Sequence, residues 1–166
     1  MPRNALPRIG TRPAGQGLPM TNYKGDGPVT IKPPKAGFTK AERDQAEEYV
    51  AAGNRAIKEG FISPTGRVST TANTELERQA RNEAKKERDR AKNDQHSPDY
   101  KGIVAHLPDT GWMNKDTKGV PMEWSDHTRR LNSSIAGQNP TYPVGFKPSE
   151  FKMHDDWYTT AAIDES

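Results

Sequence analysis

Half of the chain's 14 prolines and six of its 14 glycines fall within the first 37 of its 166 residues. Proline offers no backbone donor and fixes φ, and glycine pays heavily in backbone entropy, so a stretch this rich in both forms neither a helix nor a central strand. Residues 1–37 therefore read as an extended, disordered leader, either a docking segment for a partner or carrier or a linker from a longer architecture. What folds must fold from residue 38 onward. With only 31% hydrophobic residues against 28% charged, it builds a modest core.

Charge is divided the same way. The chain carries +3 and a pI near 9.1. Residues 1–37 hold six Lys/Arg against Asp26 alone, a local +5, which leaves −2 for the remainder. The basic surplus thus belongs to the leader, and a phosphate-binding surface on the folded part has to be a local patch. No apolar run approaches the roughly 18 residues of a membrane span, and the N-terminus lacks a secretory apolar segment. The absence of cysteine excludes disulfides and thiolate-ligated zinc, so a metal would rest on His, carboxylate and carbonyl ligands. The expected location is the cytoplasm, with any export by a signal-peptide-independent route.

Order is predicted to begin at Thr39-Lys40-Ala41-Glu42, which has capping-box spacing after a stapling Phe38, with a helix running to about Glu59 and stopping at Gly60. A second helix is predicted from about Ala72 to Asn93, where Ala72, Leu76, Ala80 and Ala84 recur every four residues. Its cluster Lys85, Lys86, Arg88, Arg90 and Lys92 is either a phosphate-facing ridge or a solvated face laced with i,i+4 pairs. From Gln95 to Tyr158 short segments are punctuated by Pro and Gly, and all three tryptophans lie there. The expectation is an α+β fold: N-terminal helices, then a short-stranded, loop- and aromatic-rich half. The domain spans 38–158 and a flexible tail follows over 159–166.

The chemistry concentrates in Ile103-Val104-Ala105-His106-Leu107-Pro108-Asp109-Thr110-Gly111-Trp112. A short apolar strand delivers His106 to a Pro-Asp-Thr-Gly turn, and Asp109 follows three residues later on the exit. Phosphodiester hydrolysis needs a deprotonated water and neutralised phosphoryl oxygens. Imidazole is the side chain poised for that proton near neutral pH. A neighbouring carboxylate can orient it or hold a divalent cation. A turn histidine with a purely structural hydrogen bond has the same spacing, so the His-x-x-Asp pair alone leaves both readings open.

Two further segments carry candidate substrate contacts. Arg129-Arg130-Leu131-Asn132-Ser133-Ser134-Ile135-Ala136-Gly137-Gln138 combines guanidiniums with amides and hydroxyls, or is simply a helix with a polar face. Tyr142-Pro143-Val144-Gly145-Phe146-Lys147-Pro148 is a stiff loop that either aims Lys147 at a phosphate or only closes the core. His127 ranks below His106 as a ligand or acid, and His96 and His154 lower still.

Taken in order, these segments, together with Ala51-Ala52-Gly53-Asn54-Arg55-Ala56 and Ser63-Pro64-Thr65-Gly66-Arg67-Val68-Ser69, resemble the bacterial polymorphic-toxin nucleases of the novel toxin fifteen family, DNase effectors of type VI secretion. The resemblance covers roughly residues 38–153. It implies an α+β nuclease domain, a divalent cation such as Mg²⁺, DNA as substrate and a cognate immunity protein, with a secretion adaptor or carrier as a further partner. The family's His-x-x-Asp falls on His106 and Asp109. In two places the chain departs from the family pattern: Gly111 stands where a threonine is expected, and Ile135-Ala136-Gly137 replaces Leu-Gly-Gly.

The reading is a toxin nuclease with His106 as general base and Asp109 as metal ligand or orienter of the imidazole, two roles that remain exchangeable. Arg67, Arg129, Asn132, Gln138 and Lys147 are its candidate phosphate or loop-positioning groups. The alternatives are an RNase of the same fold and a non-enzymatic nucleic-acid-binding or phage structural protein.

Overall fold

The computed structural model describes residues 25–70, 74–113 and 123–164. The order is β1 (Asp26–Ile31), α1 (Lys40–Lys58), α2 (Thr74–Lys92), β2 (Ile103–Leu107), β3 (Glu123–His127), α3 (Arg129–Gln138), β4 (Lys147–Met153) and α4 (Asp156–Thr159). Short 3₁₀ turns occupy Thr110–Trp112 and Asn139–Thr141. The fold is α+β, with two small sheets: β1 and β4 pair in parallel, β2 and β3 antiparallel. No helix among the described residues is long and apolar enough to cross a membrane.

α1 starts as its capping box dictates. The Glu42 amide donates to Thr39 Oγ1 at 3.1 Å and the Thr39 amide to Glu42 Oε1 at 2.9 Å. Its buried stripe, Glu42, Ala46, Tyr49, Ala52, Gly53 and Ala56, recurs at helical spacing. The small residues let α1 lie close on β4. A Cβ built at Gly53 would fall 2.5 Å from the Phe151 ring. Next along the helix, Asn54 closes the open edge of β4, giving its amide to the Phe151 carbonyl at 2.9 Å and accepting the Phe151 amide at 2.8 Å.

The leader is shorter than expected. Residues 26–31, placed by composition in a disordered segment, form β1 in register with β4, Val29 opposite Phe151 and Ile31 opposite Met153. Val29 and Ile31 are fully buried, and the register shift at Gly27/Pro28 absorbs the proline, which cannot donate to a ladder. Gln138 then grips the chain, accepting the Lys32 amide at 2.8 Å and donating to its carbonyl at 2.9 Å. Order thus begins by residue 25, and the leader expectation for residues 1–24 lies outside the described residues. The tail is likewise tied down further than expected. The Ile163 amide donates to the Phe38 carbonyl at 2.7 Å, beyond α4.

Five of the twelve residues in the core cluster are aromatic, and they include its largest side chains. Trp112 and Phe151 meet edge to face at 5.8 Å, Tyr49 packs on Phe151 at 6.1 Å, and Phe38 lies 4.7 Å from Trp157. α2 covers the other face of the β2–β3 hairpin with Leu76 and Ala91 buried. Its charges behave as a solvated face: Arg81 pairs with Glu77, Lys85 with Asp89 and Arg90 with Glu87, at 2.8–3.1 Å. Arg88 instead ties the helix to the start of β2 through the Gly102 carbonyl at 2.8 Å.

Candidate functional site

A cleft of about 460 Å³ opens between β2, α2 and the end of α3, bordered by residues 67–70. Both members of the His-x-x-Asp pair line it. They reach it from different supports. Strand alternation puts Leu107 into the core and His106 on the face toward α2. There the imidazole lies 4.3 Å from the ring of Trp124, its cross-strand neighbour, and Nε2 sits 3.3 Å from Glu83 Oε1 on α2. His106 is 9% exposed. Burial pulls its pKa below the ordinary imidazole value, and the Glu83 carboxylate opposes that pull.

After the Pro108 turn, Asp109 belongs to a different network. Asn139 donates an amide hydrogen to Asp109 Oδ2 and itself accepts from Trp112 Nε1 at 3.2 Å. The Tyr49 hydroxyl accepts the Asp109 backbone amide at 3.4 Å, and hydrogen bonding from Tyr49 and Asn139 favours the ionised carboxyl. Burial outweighs both and pushes the Asp109 pKa up to about 6. Tyr49 is held firmly neutral, by burial first and by the neighbouring Asp109 second. Among the described residues no hydrogen bond joins His106 to Asp109. Instead of Asp109 orienting the imidazole directly, the two groups share one cleft with separate partners.

The turn that carries them is clamped by the motif segment at residues 63–69, which a second motif segment holds in turn. The Ser63 amide donates to the Trp112 carbonyl and the Val68 amide to the Gly111 carbonyl, both at 2.9 Å. A Cβ at Gly111 would lie 3.0 Å from the Val68 carbonyl oxygen, so this glycine suits the close approach found here. Gly66, at φ +82°, crosses Gly145 where a Cβ would meet backbone at 2.2 Å. The Arg67 amide and carbonyl bond to Phe146 and Gly145 at 2.9 and 2.7 Å. The Tyr142–Pro148 loop therefore serves to hold the Arg67 segment against the cleft.

Of the five candidate substrate contacts, Arg67 and Asn132 line the cleft and three do not. Arg67 gives Nε to the Tyr142 carbonyl at 2.7 Å, and burial lowers its pKa. Arg129 lies instead in a separate recess with Lys101 and Gln45. Gln138 is committed to Lys32, and Lys147 sits exposed on β4 opposite Asp26. Arg130, beside Arg129, forms a 2.5 Å ion pair with buried Glu42. Burial alone would raise the Glu42 pKa, but bonds from Arg130, Thr128 and Thr39 hold it down at about 2. His127 is buried with Nε2 unpartnered among the described residues, and burial pushes its pKa down to about 4. The groups not anticipated are Glu83, Arg81, Asn139 and Tyr49.

Among the described residues no cluster of three or more His, Asp or Glu side chains forms a protein-only cage for a metal ion. A cation here would instead rest on Asp109, a partly buried carboxyl whose pKa desolvation raises toward neutrality. Mg²⁺ typically takes one or two carboxylates, keeps waters and shares substrate phosphate oxygens. No family model, curated protein or solved structure matches the chain.

Proposed function

We propose that the protein is a DNA-hydrolysing toxin nuclease whose reaction takes place in the cleft between β2, α2 and α3. The observation that carries the reading is the convergence of His106, Asp109, Arg67, Arg81 and Asn132 on one cleft. The ordered resemblance to the novel toxin fifteen nucleases supports it further. That resemblance also supplies the biological setting: delivery by type VI secretion, with or without an adaptor or carrier, and neutralisation by a cognate immunity protein.

With Nε2 turned to Glu83, Nδ1 is the nitrogen of His106 left to act as base. It takes a proton from water as the water oxygen bonds to phosphorus. The bond to the sugar oxygen on the far side breaks, and that oxygen leaves with a proton from solvent. Arg67 and Arg81 line the cleft walls and offset charge on the phosphoryl oxygens, and Asn132 can donate to the same group. Asp109 would hold the divalent cation, which when bound supplies Lewis-acid stabilisation to the phosphate. Asn139 and Tyr49 fix the direction of that carboxylate.

Incubating the purified protein with plasmid DNA, and separately with RNA, in Mg²⁺ or in EDTA tests the reading. Cation-dependent nicking of DNA is the expected result. Shifted mobility without cuts would replace the enzyme with a binding module, and cleavage of RNA alone would change the polymer.

A further inference from the structure

The motif's histidine and aspartate look like a dyad in the sequence, yet in the fold each has its own partner. His106 is paired across the cleft wall with Glu83 of α2 at 3.3 Å, while Asp109 is tied to Asn139 and Tyr49. We infer that Glu83, not Asp109, is the positioning residue of His106: it accepts the Nε2 proton, fixes the tautomer whose Nδ1 is basic, and balances the imidazolium formed when water is deprotonated. The inference rests on the nuclease reading for its catalytic consequence, though not for the pairing itself.

Three features support a built pair over a chance surface contact. The imidazole packs at a tilt of 49° against the Trp124 ring, 4.3 Å between centroids, so rotation away from Glu83 is hindered on that side. Glu83 stands on a helix fixed to β2 both by the Leu76 seam and by Arg88, whose guanidinium reaches the Tyr100 and Gly102 carbonyls just before the strand. Glu83 is also the only acidic side chain among the described residues within bonding distance of His106. The remaining charged groups around the cleft are Glu77 and Arg81 from α2, Arg67 from the segment beside it and Asp109 from the turn. Glu77 is already paired with Arg81 at 3.1 Å, so it does not substitute. A carboxylate behind a histidine that fixes its tautomer and raises its basicity commonly accounts for 10–100-fold in function.

The test combines an activity-independent readout with a kinetic one on the full chain. Side-chain NMR follows the titration and tautomer of His106 in the wild type, Glu83→Gln, Glu83→Asp and Asp109→Asn. Plasmid cleavage is measured against pH for the same set. Glu83→Gln is expected to lower the His106 pKa, mix its tautomers, shift the acid limb of the rate profile to lower pH and slow cleavage about 10–100-fold. Glu83→Asp should restore part of both effects, and Asp109→Asn should disturb the His106 titration less than Glu83→Gln does. An unchanged His106 titration in Glu83→Gln, or a larger change in Asp109→Asn, overturns the assignment. If His106 responds to Glu83→Gln while the wild type cleaves no nucleic acid under any cation, the pair stands and the nuclease reading falls.

Discussion

Asp109, the carboxyl proposed to hold the cation, is kept in the fold at a cost in stability. Its folded-state pKa of about 6 lies above the ordinary 3.8, so the carboxyl favours folding while protonated and loses that contribution as pH rises through 6. His127 works in the opposite sense: its folded value near 4 lies below 6.5, so stability is lost as pH falls from 6.5 through 4. Across roughly pH 4–6 the Asp109 and His127 slopes oppose each other, each about 1.4 kcal/mol per pH unit, and His106, whose pKa burial also lowers, adds to the histidine side. Chemical denaturation of the wild type should therefore show stability rising only gently with pH there. Asp109→Asn should unmask the histidine slope, gaining ~3 kcal/mol or more between pH 4 and 6.5, and should be more stable than the wild type at pH 8 while failing to cleave DNA. Thermal melts with Mg²⁺ give a second check: the cation should raise the Tm of the wild type and leave Asp109→Asn unmoved. An equal shift in both would remove Asp109 as the cation's ligand. His106 and Asp109 were legible as candidates because an apolar run ending in Pro-Asp-Thr-Gly is a local signal. Glu83 was not, since a single carboxylate in a helix crowded with paired charges has no distinguishing neighbourhood until β2 is laid beside it.

At the level of elements, what the sequence revealed was what forms locally. The capping box at Thr39 and Glu42 set the start of α1, and the four-residue spacing of Leu76, Ala80 and Ala84 set the face of α2. β1 escaped notice because its evidence is long-range: Val29 and Ile31 look unremarkable among prolines until Phe151 and Met153, more than a hundred residues later, line up beside them. Ile31→Ala should accordingly cost about 2–4 kcal/mol in denaturant unfolding, the range for emptying a fully buried aliphatic site. A free leader would show no change. Gly53→Ala poses a related question at the α1–β4 contact. Helix propensity alone favours alanine by about 1 kcal/mol, but the methyl would strike the Phe151 ring, so the variant should lose ~1–3 kcal/mol. Arg130, offered by the sequence as a phosphate fork, is a structural residue: it neutralises buried Glu42, whose contribution to folding is present above pH 4.5 and lost as pH falls toward 2.

Across the whole molecule, two small sheets cannot each support a core. They are joined instead by aromatic side chains and by helices that touch both. α1 reaches β4 through Gly53 and Asn54 and the β2–β3 hairpin through Ser125, whose hydroxyl donates to Glu48 at 2.7 Å. The cleft is what remains where α2, β2 and α3 fail to close on one another, and its chemistry is drawn from segments far apart in the chain. That explains why the three candidate contacts placed off the cleft, Arg129, Gln138 and Lys147, looked as suitable as Arg67 and Asn132: residue type was visible in the sequence, direction was not. The most direct test of the account is the rate of plasmid cleavage in Mg²⁺ by the wild type, His106→Ala and Asp109→Ala, with circular dichroism verifying that each is folded. The account predicts EDTA-sensitive cleavage by the wild type and a loss of about 10²–10⁴-fold in His106→Ala, with a comparable loss in Asp109→Ala. Wild-type rates from either folded variant would contradict it.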